Sequence, residues 1–214
     1  NMTKKDKSMA TRNPKAVSSF TENIPSVTPF GPMGMGFLLC VALFAGCGVG
    51  DPKLAEALEN IQHSDEAFRL EGLKTFSAMG EKGKSYADKI AALLKDTSVK
   101  VREQAMMLLV EWEHNSPEFV QELGAMATGD QDEGVRATAL QSLSILGAQE
   151  EFLKASKAIL AGDNAYLKRE AIYTIGQSSK ESVTAMKAEL EAIAGGSDED
   201  LASVAKSALK TLEE

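Results

Sequence analysis

Between residues 52 and 214 the apolar positions fall on one helical stripe that is repeated five times. Each repeat carries a small residue at the same place: Gly72, Ala105, Ala139, Ala171 and Ala205, spaced 33, 34, 32 and 34 residues apart. Four residues earlier stand Phe68, Val101, Val135, Leu167 and Leu201, and four residues later Phe76, Leu109, Leu143, Ile175 and Leu209. The next position after the small residue is Leu73, Met106, Leu140, Ile172 and Lys206, the last a charge at a place expected in the core. Offsets of −4, 0, +1 and +4 line one face of an α-helix. Ahead of each such helix, residues 53–62, 85–95, 117–128, 149–161 and 182–194 carry apolar residues at helical spacing, so the pattern predicts ten helices. Pro52 and Pro117 suit first helical turns, and Gly80 and Gly147 stand where left-handed C-terminal caps belong. The steps Gly129-Asp130, Gly162-Asp163 and Gly196-Ser-Asp198 mark turns within pairs, with Asp or Ser placed to cap the second helix. A fixed period in the thirties without strand signals predicts a stack of helix pairs.

The repeats resemble the short bacterial form of HEAT repeats. The run Leu-Leu-Lys-Asp-Thr-Ser-Val-Lys-Val-Arg-Glu-Gln-Ala at 93–105 is the closest match, and an Asp recurs six residues before an Arg: Asp96 and Arg102, Asp130 and Arg136, Asp163 and Arg169. The resemblance implies that these form an Asp/Arg ladder stacked between neighbouring repeats. Repeat one departs, with Asp65 only four residues before Arg69 and Gly72 in place of Ala; in repeat four an alignment on the alanine selects Lys168 instead of Arg169. The resemblance implies an all-α fold, an α-solenoid (right-handed superhelix) of about five HEAT-like helix-pair repeats at 52–80, 84–114, 117–147, 149–179 and 182–214.

The chain ahead of the repeats differs in character. Residues 1–32 are polar, proline-containing and without period, and are expected to be disordered. The apolar run from Phe37 to Gly46 is half the roughly 20 residues a helix needs to span a bilayer. Following a basic segment and ending in small residues, it reads as a secretory signal, so that residues 1–46 are leader and 47–51 a short tether. Phe44-Ala45-Gly46-Cys47 resembles a bacterial lipobox, with Phe44 where Leu is usual. That resemblance implies cleavage before Cys47, acylation of its sulfur and amine, and a protein held in the bacterial cell envelope, lipid-anchored on the periplasmic side; Gly48 favours the outer membrane.

Charge narrows the partners. Residues 1–46 balance at +3, whereas 47–214 hold 18 basic and 29 acidic residues, a balance of −11. Such a body is repelled by phosphate backbones, so nucleic acid is excluded as partner. Two cysteines (Cys40, Cys47) and two histidines (His63, His114, each expected as a solvated loop residue) offer no metal constellation, and no cofactor is expected. No Ser/His/Asp or Cys/His set and no phosphate-binding glycine loop occurs, and carboxylates two apart (Glu111 and Glu113; Asp130 and Asp132) diverge on a helix. The expectation is therefore a non-enzyme: a membrane-tethered protein–protein interaction scaffold. A structural envelope spacer and, last, a HEAT-like lyase or glycosylase are the alternatives. Positions just before and two after the small residue face outward on the predicted concave side. There Glu71, Gln104, Met107, Thr138, Gln141, Glu170 and Tyr173, together with Glu111, are the candidate partner-binding residues. Met107 and Tyr173, with Trp112 nearby, are candidate apolar anchors. The acidic members point to a basic protein partner.

Overall fold

The computed structural model describes residues 51–213, all helix and connecting turn. Residues 1–50, including Cys40, the apolar run and the lipobox ending in Cys47, lie outside the described residues. Five helix pairs follow one another. They are α1 (Pro52–Asn60) with α2 (Glu66–Ala78), then α3 (Glu81–Lys84), α4 (Ala87–Ala91) and a 3-10 turn (Ala92–Lys95) with α5 (Val99–Glu111). Next come α6 (Pro117–Gly129) with α7 (Glu133–Ile145), α8 (Gln149–Ala161) with α9 (Ala165–Gln177), and α10 (Lys180–Ala185) and α11 (Lys187–Ala194) with α12 (Glu199–Lys210). The second helices α2, α5, α7, α9 and α12 each touch the next along the whole stack, and α6, α8 and α10 form the neighbouring layer. The all-α solenoid expected from the repeat pattern is what forms.

Each second helix starts at a side-chain cap: Asp65, Ser98, Asp132, Asn164 and Asp198 accept a backbone N–H two or three residues on. Asp130 and Asp163 are therefore not the caps their place in the turn suggests. All five small residues are buried. Val101, Val135 and Leu167 before them, and Phe76, Leu109, Leu143 and Ile175 after them, are at most 1% exposed. The pattern weakens only at the ends. Phe68 is exposed and lies against the His63 ring, with centroids 4.2 Å apart. Lys206 does not intrude on the core: the place occupied by Leu140 or Ile172 elsewhere is exposed on α12. Gly72 has a steric reason. A Cβ there would sit 2.7 Å from Ile61 Cγ2 and 2.9 Å from Ile61 N, so α1 and α2 approach too closely even for alanine.

The first helix expected over 182–194 is broken, and the one expected over 85–95 starts at Ala87, finishes as a 3-10 turn and is preceded by the short α3. In repeat two, Gly83 is buried, and a Cβ on it would lie 2.4 Å from the Phe76 carbonyl and 2.9 Å from Trp112 Cζ2. The chain passes so close to the end of α2 that helix α3 stops and α4 restarts after Tyr86. Trp112 covers this crossing at 7% exposure; it is a core residue and not a surface anchor. In repeat five the break falls at the fully buried Met186. Gly147 (φ +67) ends α7 with Ala148 N–H bonded to Leu143 O and Gly147 N–H to Ser144 O, a Schellman cap. Glu113 (φ +56) closes α5 with the same two bonds, without glycine. His63 and His114 are built into their turns: His63 Nδ1 accepts the Asp65 N–H, and His114 packs on Phe119.

The ladder is joined one repeat over from the pairing read in the sequence. Arg69 binds Asp96 through Nε and Nη2 at 2.7 and 2.8 Å, and its Nη1 donates to the carbonyls of His63 and Ser64. Arg102 binds Asp130 in the same way at 2.9 and 2.7 Å, reaching Asp96 only through its backbone carbonyl. In both rungs the acidic and basic side chains are about nine-tenths buried. Burial alone would raise the Asp96 carboxyl. The Arg69 hydrogen bonds, the Ser98 N–H and the Arg69 and Arg102 charges outweigh it and hold the carboxyl below the usual range. That rung is therefore complete above about pH 4 and weakens as pH falls below it. The third rung is absent because Gly162 occupies the aspartate place, two before the cap Asn164. Asp163 is exposed, and Arg169 is an exposed residue 3.5 Å from Glu170. The position equivalent to Arg69, Arg102 and Arg136 is Lys168, as the alanine alignment has it. Arg136 turns back to the Ala127 carbonyl at 3.4 Å.

Removing Arg102 in Arg102→Ala leaves Asp130 buried without its partner and should cost roughly 3 kcal/mol in denaturant unfolding. Gly162→Asp should do the reverse. Gly162 has an ordinary extended backbone with room for a Cβ, so the new carboxylate can take Arg136 and raise stability by about 1 kcal/mol. An unchanged or lower midpoint for Gly162→Asp would mean that rung geometry is not transferable along the stack.

Candidate functional site

The surface left over once the core is filled is the outer row of the second helices. Helical spacing fixes which side chains reach it, since residues one before and two after each small residue point away from the pair. Among the predicted candidates, Glu71, Gln104, Glu111 and Tyr173 are exposed, and Met107, Thr138, Gln141 and Glu170 are half-buried; none is buried. They lie on four successive helices that touch in order, so the structure brings them into one band along the stack. Within it Glu71 pairs with Lys74 at 3.5 Å, a solvent-facing contact worth little.

Two residues outside the predicted set change the character of this band. Tyr166 is 41% exposed on α9, two turns before Tyr173, which is 56% exposed. Nothing in the repeat pattern signalled Tyr166, because its register holds Lys100 and Gly134 in the preceding repeats. Glu103 is half-buried and lies beside the next repeat. A Cβ on Gly134 would be 3.6 Å from Glu103 Oε1 and 3.0 Å from Asp132 Oδ1, so carboxylates of two repeats converge where Gly134 has no side chain. Burial, then the charges of Asp132 and Asp130, outweigh Arg102 and raise the Glu103 carboxyl. Burial together with Glu170, Glu133 and Asp132 outweighs Arg169 and raises the Tyr166 phenol. The band is thus negative where it is aromatic.

A recess of about 570 Å³ lies elsewhere, on the turn side between repeats two and three, lined by Leu94, Thr97 and Met126 among others. Its charges are matched within the protein: Arg102 with Asp130, Lys95 with Glu122 at 3.0 Å. Among the described residues no three His, Cys, Asp or Glu side chains gather as a metal site, and no helix is long and apolar enough to cross a membrane. Asp130 is committed to Arg102 and Asp132 to the α7 cap, so neither is a free acid/base pair.

A family model described as HEAT repeats matches residues 87–176. No curated protein matches the chain. Among solved structures the chain is similar to a designed armadillo repeat protein, YIII(Dq)4CqI, at 15% identity and TM-score 0.48, over 74% of this chain and 82% of that one. A second, YIII(Dq.V1)4CPAF in complex with peptide (KR)4, has 15% identity and TM-score 0.49 over 74% and 81%. An engineered protein has 12% identity and TM-score 0.48 over 75% and 79%.

Because the folded state raises the Glu103 carboxyl, ionised Glu103 costs stability at neutral pH. Glu103→Gln should raise stability there by a few tenths of a kcal/mol after solvent screening. The gain should shrink as pH falls through the raised range in which the folded wild-type carboxyl takes up its proton. Urea midpoints of both proteins at neutral and acid pH measure this.

Proposed function

We propose that this chain is a non-catalytic protein–protein interaction scaffold that engages its partner along the second-helix band and is held at a membrane through lipid on Cys47. The observation that carries the scaffold reading is the band itself. Five second helices stack in order, and their outer row is left uncovered by the first-helix layer. Solenoids of this kind work by offering an extended surface in place of a pocket. The match of residues 87–176 to HEAT repeats supports the same reading. The acidic balance of residues 47–214 disfavours nucleic acid and favours a basic protein.

The anchor is supported by sequence alone, through Phe44-Ala45-Gly46-Cys47 and the apolar run before it. A diacylated or triacylated cysteine gains about 0.8 kcal/mol per buried CH₂, which makes membrane attachment effectively permanent. With only Gly48–Asp51 between Cys47 and Pro52, a partner would be engaged close to the lipid surface. Such a protein belongs to a bacterial cell envelope, with the outer membrane favoured by Gly48.

Crosslinking in the native envelope should capture a defined protein, and Met107→Glu should reduce that capture at least tenfold without loss of helicity. Capture unchanged in Met107→Glu and Tyr173→Glu alike would place the contact off the band. Mass spectrometry of the mature N-terminus should find Cys47 first and acylated; an unmodified peptide running through Cys47 would refute the anchor.

A further inference from the structure

Among the described residues four large apolar side chains are exposed: Phe68, Ile145, Tyr166 and Tyr173. Phe68 is covered on one side by His63, whereas Tyr166 and Tyr173 stand on one face of α9 with Glu170 between them. Their spacing of i, i+4 and i+7 keeps all three within a narrow arc, and the rise of 1.5 Å per residue sets Glu170 about 6 Å from one tyrosine and 4.5 Å from the other along the axis. Two aromatic faces flanking a carboxylate at this distance form a seat for one cationic side chain, held by ring quadrupoles above and charge below.

The surrounding charges agree. The carboxylates of Glu133 and Asp132 act on the Tyr166 hydroxyl along with that of Glu170, and Arg169 opposes them. Arg169 is 56% exposed at its side chain and only 3.5 Å from Glu170, a contact that an incoming cation can displace at little cost. Glu133 is further oriented by Asn164 Nδ2 at 2.6 Å, and Glu103 extends the negative field into the next repeat. A flat apolar partner would leave these carboxylates desolvated without compensation, and an anionic lipid surface or nucleic acid would be repelled. A segment bearing Lys or Arg satisfies both features at once.

We propose that the Tyr166–Glu170–Tyr173 face of α9 is the docking point for a Lys- or Arg-bearing segment of a partner protein. This rests on the scaffold reading and adds the place and chemistry of contact. The test is fluorescence anisotropy of a labelled short peptide alternating Lys with Ala, titrated with the full chain, beside the same peptide carrying Glu for Lys. The Lys peptide should bind saturably and the Glu peptide should not. Tyr173→Ala and Glu170→Gln should each weaken binding about tenfold, and added salt should weaken it further. Glu56→Gln, which removes the same charge from the exposed side of α1, should leave binding unchanged. Binding that is absent, no tighter for Lys than for Glu, or as tight in both α9 variants as in the unsubstituted chain overturns the proposal. If the peptide fails while envelope crosslinking still depends on Met107, this docking point falls and the scaffold reading stands.

Discussion

Every repeat depends on one steric constraint: at one place on the second helix the side chain can be no larger than a methyl group. Gly72, Ala105, Ala139, Ala171 and Ala205 sit at the bottom of the helix-pair contact, and the large residues one and four positions on fill the space that close approach creates. A single residue type thus sets the distance between layers, which in turn decides which side chains meet water. Gly72 is the extreme case: even a Cβ there would run into Ile61, the residue that caps the first helix. Gly176 against Ala208 shows the same economy between neighbouring second helices, where a Cβ would lie 3.0 Å from the Ala208 methyl.

The Arg/Asp rungs add orientation to this contact. Each guanidinium fork ties its own turn to the loop of the next repeat, and its remaining donors satisfy carbonyls that the turn would otherwise bury unpaired. Two rungs form, and then the chain changes chemistry. At Gly162 the tie is lost, Arg136 folds back on its own repeat, and the same turn carries Asn164, Asp163 and the start of α9. The tied part of the stack is therefore repeats one to three, and the Tyr166–Glu170–Tyr173 face of α9 lies just beyond it. That asymmetry fits a surface that must accept a partner.

The five-repeat count, register and buried stripe were legible because a strict period makes every repeat a copy of the same argument, whereas the ten helices expected became twelve among the described residues. Position along the chain also told which residues face outward, so Glu71, Gln104 and Tyr173 stand in the open as expected. Reading failed where two chain segments cross at a distance no local pattern encodes. The short helix around Gly83 crosses the end of α2 against Trp112, and that burial removes Trp112 from the surface. The stacking of the ladder between neighbouring repeats was legible for two rungs, but an offset of six residues does not say which Asp each Arg reaches, and it is the Asp of the following repeat. Asp163 and Arg169 looked like a rung because they share that offset, although the caps put Gly162 and Lys168 in those roles. Tyr166 was overlooked because its register in other repeats holds Lys100 and Gly134, so nothing recurs there.

The functional reading inherits its strength from the packing, since the second-helix band exists only if the pairs close as tightly as the small residues allow. Denaturant unfolding of Gly72→Ala tests that closure most directly, because the sign is decided by packing alone. Intrinsic propensity favours Ala over Gly within a helix by about 1 kcal/mol. With close approach at Ile61, the substitution should instead lower stability by roughly 1–2 kcal/mol. A Gly72→Ala protein more stable than wild type would contradict the account.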